Sequence, residues 1–137
     1  NQQAMHHTQV NYQKIYEKLG YLFYAIAAVD AGVKPGEADH LRDIVKKLWL
    51  PIEDSTDEFG TDAAYYIDIS FEFLLHEGMD PDEAFQEFEN YYTEHSAAFS
   101  KTVIKDTKLT AREIAHAFRG RNKKEKAMRK RLDSLLG

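Results

Sequence analysis

Cysteine is absent from the 137 residues, which excludes disulfide scaffolds, thiolate zinc sites, iron–sulfur clusters and thiol nucleophiles. Long apolar runs are absent too: the longest, Leu22 to Val29, is far too short to cross a bilayer as a helix. No G-x-x-x-x-G-K, G-x-S-x-G or G-x-G-x-x-G occurs, so the common nucleotide-binding and hydrolase signatures are missing. What is present suits one globular unit. The length lies in the single-domain range, and a chain of this size buries roughly two thirds of its unfolded surface. Folding therefore needs no covalent or metal staple.

The net charge of −5 argues, taken whole, against a nucleic-acid binder. Its distribution is uneven. Residues 1–100 hold 6 basic and 19 acidic side chains, or −13, whereas residues 101–137 hold 12 basic and 4 acidic, or +8. A basic end on an acidic body calls for a partner or an intramolecular contact. The basic stretch Arg119 to Arg131 has no aromatic after Phe118, which nucleic-acid recognition would favour. Its apolar residues Met128, Leu132, Leu135 and Leu136 are too few for a broad membrane-facing surface. Three destinations remain open: solvent opposite the acidic body, a protein partner, or an anionic surface.

Apolar spacing is helical throughout. Residues 1–9 form a polar lead-in, and a start at Asn1 rather than Met implies that something upstream was removed. Tyr12, Ile15, Tyr16, Leu19, Leu22, Phe23, Ile26 and Val29 form one stripe of a long first helix, which Gly32 should stop. Pro35 opens a second helix that buries Leu41, Ile44, Val45, Leu48 and Trp49 and ends at Pro51. An acidic loop then occupies 51–60. A third helix spans about 61–76, carrying Tyr65, Ile69, Phe73 and Leu74. Asp80, Pro81 and Glu83 form an N-cap, an N1 proline and a capping box for a fourth helix bearing Phe85, Phe88, Tyr91 and Tyr92. That helix either breaks near His95 or runs on to about Asp106. Thr110 to Glu113 is a second capping box, opening a helix with Ile114, Ala117 and Phe118. After Gly120 comes a last, basic helix over 121–137. The expected fold is all-α, a compact bundle of six to seven short helices, with a helical domain over 10–120.

One pattern occurs twice. Asp30, Val33, Glu37 and His40 have the same offsets as Asp106, Leu109, Glu113 and His116, which reads as an internal repeat. In each copy the Asp belongs to the last turn of one helix and the Glu to the first turn of the next. Two carboxylates at one corner repel, raising a pKa or demanding a cation. A hard divalent ion with oxygen ligands satisfies them, and His40 or His116 shifts preference toward zinc, manganese or iron. The alternative reading is local: Glu in a first turn caps exposed N–H groups, and Asp accepts hydrogen bonds in a turn. The two Glu-x-x-His motifs also suggest a di-iron carboxylate enzyme, with Glu72 or Asp68 as further ligands. Glu72 and His76 form an i, i+4 pair of lesser weight.

The run Ala27-Ala28-Val29-Asp30-Ala31-Gly32-Val33, followed by Glu37 and the Leu41/Ile44/Leu48 stripe, resembles the TerB-like family of tellurite-resistance and J-domain co-chaperone proteins. The resemblance implies a helical bundle of two related halves over about residues 10–120. It implies a bacterial stress setting and a divalent ion (calcium, magnesium or zinc) on Asp30 and Glu37, with Asp106 and Glu113 as counterpart. The expectation is thus a non-enzymatic interaction module, cytoplasmic or membrane-associated. The competing expectations are a metal-dependent enzyme and a metal-free adaptor acting through the basic C-terminal helix.

Overall fold

Side chains that the sequence places at helix starts satisfy the free N–H groups there. The computed structural model describes residues 11–29, 33–56, 63–117 and 123–137, with backbone alone for 50–56. Among these residues six α-helices follow one another: α1 Tyr12–Ala28, α2 Pro35–Thr56, α3 Ala63–Glu77, α4 Pro81–His95, α5 Lys101–Ala117 and α6 Lys123–Leu136. A 3-10 turn, Ser96–Ala98, separates α4 from α5. The Asn11 side chain accepts from Lys14 N at 3.0 Å to open α1, and Asp80 accepts from Glu83 N at 3.2 Å to open α4. Gly78, at φ +69°, ends α3 by donating its N–H to the Leu74 carbonyl at 2.9 Å, a left-handed cap that glycine adopts without strain. The all-α expectation holds, and no strand occurs among the described residues. The lead-in over 1–9, the acidic residues 57–60 and the stops at Gly32 and Gly120 lie outside them.

Two expectations need correction. The second helix does not end at Pro51 but continues to Thr56; proline's φ is already helical, and the helix runs on despite the missing N–H bond and the crowding of the ring against the carbonyl four residues back. No helix opens at Thr110. Instead α5 starts at Lys101, where the Ser100 hydroxyl accepts from Val103 N at 3.1 Å. Thr110 sits mid-helix, donating to the Asp106 carbonyl at 2.6 Å, and neither Gly nor Pro interrupts residues 82–119. On the third helix, Tyr65, Ile69 and Phe73 face outward: they are 54%, 46% and 56% exposed.

α1 is the central helix, touching α3, α4, α5 and α6, while α2 packs on α3 and α5. Its Leu19, Leu22, Phe23, Ala25 and Ile26 are buried. The α1–α3 approach is close because Gly20 faces Ser70: a Cβ built on Gly20 would lie 2.5 Å from Ser70 Cβ. Ser70 Oγ donates to the Glu17 carbonyl at 2.7 Å and ties the two helices together. Trp49, fully buried, joins α2 to Tyr16 and Phe23 of α1 by ring contacts and to α5 by its indole N–H, which donates to Thr110 Oγ1 at 2.9 Å. Phe85, Phe88 and Phe99 form an aromatic cluster under α4. α6 sets Met128, Leu132 and Leu136 into the same core. No helix among the described residues is long and apolar enough to cross a membrane.

Candidate functional site

The helix corners come first, because the sequence places its carboxylates there. Asp30 lies outside the described residues. Glu37 is half-buried in the first turn of α2, where its Oε1 accepts the Lys34 N–H at 2.9 Å. That bond is half of a capping box, so the local role of Glu37 is seen directly. His40 is exposed one turn further along.

The second copy is arranged differently. Asp106, Glu113 and His116 all belong to one uninterrupted helix, α5. Seven helical residues separate the two carboxylates by about 10 Å along the axis, too far for one ion. Asp106 is half-buried, and burial raises its pKa against the opposing effect of Lys105. Glu113 and His116 are exposed. Among the described residues no three His, Asp or Glu side chains converge as a metal site would require. Glu72 accepts from Arg42 at 2.7 Å.

The sequence does repeat across two helix pairs, in another register. A constant offset of 88 matches the sequence of α1 and α2 to that of α5 and α6, aligning Ile26 with Ile114, Ala27 with Ala115, Gly32 with Gly120, Glu37 with Glu125, Ile44 with Leu132 and Leu48 with Leu136. Glu37 and Glu125 both occupy the first turn of their helices. In this register the counterpart of Asp30 is Phe118, so the acidic pair is not duplicated. Glu125 is only 2% exposed. Burial pushes its carboxyl pKa upward, opposed by the charges of Arg129 and Lys126, and Arg129 Nε lies 3.5 Å from Oε2.

Outside the corners, two surfaces stand out. On α3, Tyr65, Ile69 and Phe73 recur every four residues and form an exposed apolar stripe along one side of the helix. Tyr66 stacks edge-on against Tyr65 with ring centroids 5.3 Å apart. The inward face of the same helix carries Ala63, Ala64, Ile67, Ser70, Phe71 and Leu74. Beside the stripe, Arg42 of α2 holds Asp68 at 3.1 Å and Glu72 at 2.7 Å, and reaches Asp39 at 3.2 Å. These ion pairs fix α3 against α2. The second surface is the outer side of α5, where cationic side chains surround a shallow groove.

The hydroxyls that a catalytic reading would draw on are structurally engaged. Ser70, Thr107 and Thr110 each donate to a backbone carbonyl at 2.6–2.7 Å. The residues of the exposed apolar stripe were in plain view in the sequence, but not their exposure; Ile67, Phe71 and Leu74 form a competing stripe on the buried side. Comparison with known protein families, curated proteins and solved structures finds no match for this chain.

Proposed function

We propose that the chain is a non-enzymatic interaction module of TerB-like type, which presents the outer face of α3 to a protein partner. The observation that carries this reading is the Tyr65–Ile69–Phe73 stripe: three large apolar side chains, each about half exposed, aligned on one helix. Aromatic and aliphatic anchors of this kind dominate binding energy at protein interfaces. The opposite face of α3 is locked into the core, and Arg42 braces its flank. The stripe is therefore held on a rigid element, which lowers the ordering cost of association.

The test places a photo-crosslinking residue at position 69 and, as a control, at exposed Asp133, in the chain expressed in its native host. The expected result is a discrete adduct from position 69 that disappears when Phe73→Glu is added. Exposed positions of this kind tolerate substitution within about 0.5 kcal/mol, so the variant should melt like the parent. Equal adduct patterns from positions 69 and 133 would overturn the reading.

A further inference from the structure

The outer face of α5 carries cations in a regular row. Lys101, Lys105, Lys108 and Arg112 are spaced by four, three and four residues, which puts all four on one side of the helix over roughly 16 Å. With Ile104 and Leu109 they line a groove of about 390 Å³. Ile104 rests against the core, and Leu109 is half-buried. Among the described residues no carboxylate forms a salt bridge with Lys101, Lys105 or Arg112. Lys108 Nζ donates to the Gly137 carbonyl at 2.9 Å, which ties the end of α6 to the edge of the groove. The acids of α5, Asp106 and Glu113, sit about a third of a turn away from the row.

Different occupants would use this face differently. A phosphate backbone would neutralise the cations but leave Ile104 and Leu109 in water. A bilayer needs a broad apolar face, and of the remaining apolar residues of α5, Val103, Ala111, Ile114 and Ala115 are buried in the bundle and Ala117 is half-buried. An acidic amphipathic helix satisfies both parts of the surface. Ile104 and Leu109 flank the row on its two sides; the apolar side chains of such a helix would rest on one flank, at Leu109, while its carboxylates meet the row of cations. We infer that the outer face of α5 is a docking site for an acidic, amphipathic helical segment of a partner protein. The site is on a different helix from the α3 stripe and does not rest on the reading given for it.

The test uses the full chain and a fluorescent 16-residue peptide with leucine at i, i+4, i+7 and i+11 and mainly glutamate elsewhere. Binding is followed by anisotropy, beside a scrambled peptide of equal composition, a dT20 oligonucleotide and vesicles containing 30% phosphatidylserine. The ordered peptide should bind more tightly than the other three probes. Raising NaCl from about 0.1 M to 1 M, which shortens the Debye length from roughly 10 to 3 Å, should weaken it at least about tenfold. Lys105→Glu/Arg112→Glu should weaken it by a similar factor, and Leu109→Ser by about threefold, the order expected for one partly buried side chain. The control Lys126→Glu/Lys130→Glu makes the same charge change on exposed positions of α6 and should leave affinity within about twofold. Should the α5 variant lose its helical dichroism, Lys101→Glu/Lys105→Glu makes the same comparison. Equal loss in the α5 and α6 variants, or tighter binding of the scrambled peptide, the oligonucleotide or the vesicles, overturns the inference.

Discussion

Gly20→Ala sets two physical effects of opposite sign against each other. In an exposed helix this change stabilises by about 0.8–1.0 kcal/mol through helix propensity. At position 20 the new Cβ would stand 2.5 Å from Ser70 Cβ and 2.8 Å from the Ile67 carbonyl oxygen and Ser70 Oγ. Carbon atoms in contact prefer about 3.5–4.0 Å, so α1 and α3 must separate by about 1 Å. Backbone at Ile67 cannot rotate away, and Ser70 is tethered to the Glu17 carbonyl at 2.7 Å. Overpacking of this kind costs about 1–3 kcal/mol, and the upper end applies where backbone is the obstacle. Subtracting the propensity gain leaves a net loss of about 2 kcal/mol. For a chain of this size that lowers Tm by about 8 °C. Urea unfolding followed by circular dichroism at 222 nm measures the loss directly. Adding Ser70→Gly should recover part of it, giving a non-additive double-mutant cycle. A Gly20→Ala protein equal to or more stable than the parent would refute the close α1–α3 packing on which the placement of the α3 stripe depends.

The other predictions concern the core, the corner and the ion network. Trp49→Phe removes the donor to Thr110 Oγ1 from a fully buried position and leaves a cavity, so stability should fall by about 2–3 kcal/mol in the same urea assay. Burial holds the Glu125 carboxyl pKa above its ordinary value of 4.5, so the folded state keeps this proton more tightly than the unfolded chain. The group therefore favours folding more as pH falls through its raised pKa toward 4.5, and its buried charge opposes folding at neutral pH. Glu125→Gln removes that titration: relative to the parent it should be more stable at pH 7 than at pH 5, and urea midpoints that keep a constant gap would contradict this. Arg42→Met removes contacts to Asp39, Asp68 and Glu72 from a partly exposed site and should cost about 1 kcal/mol, less in 0.5 M NaCl.

Helix identity was legible in the sequence wherever a local signal had one physical meaning. Asp80, Pro81 and Glu83 admit little besides a helix start, and α4 begins there. The fourth helix breaks at His95, one of the two expected alternatives, and a 3-10 turn follows. Thr110 and Glu113 were ambiguous. The same letters serve a capping box or a mid-helix threonine bonded to the carbonyl four residues back, and the tertiary demand of Trp49 for an acceptor is met by the second. On α3 hydrophobicity alone offered two candidate faces. Tyr65, Ile69 and Phe73 make one apolar stripe and Ile67, Phe71 and Leu74 another; the second is buried, together with Ser70, which is small enough to face Gly20 of α1.

The repeat shows the same difference between charged and apolar signals. Matching Asp, Glu and His at equal offsets paired Glu37 with Glu113, two residues whose structural settings differ: a first turn and a mid-helix exposed position. Matching the buried Ile26, Ala27 and Ile44 with Ile114, Ala115 and Leu132 pairs Glu37 with Glu125 and respects the helix boundaries. Burial constrains apolar positions through packing, whereas a charged residue on a solvated face is free to recur by composition.

The uneven charge also acquires a location. If opposite charge held the basic end to the acidic body, ion pairs should cross between them in number. Among the described residues one salt bridge does: Arg131 to Glu89 at 2.6 Å, with the same guanidinium over the Phe85 ring at 4.3 Å. Arg129 pairs within its own helix, and Lys123, Lys124, Lys126 and Lys130 are exposed. The attachment of α6 is apolar instead, through Met128, Leu132 and Leu136. Exposed ion pairs contribute about 0–1 kcal/mol each, less than the roughly 1.5–3 kcal/mol from burying one such side chain. Charge separation is therefore dispensable for closing the bundle. Its consequence lies outside, where the row on α5 provides a positive field that acidic partners enter and cationic ones do not.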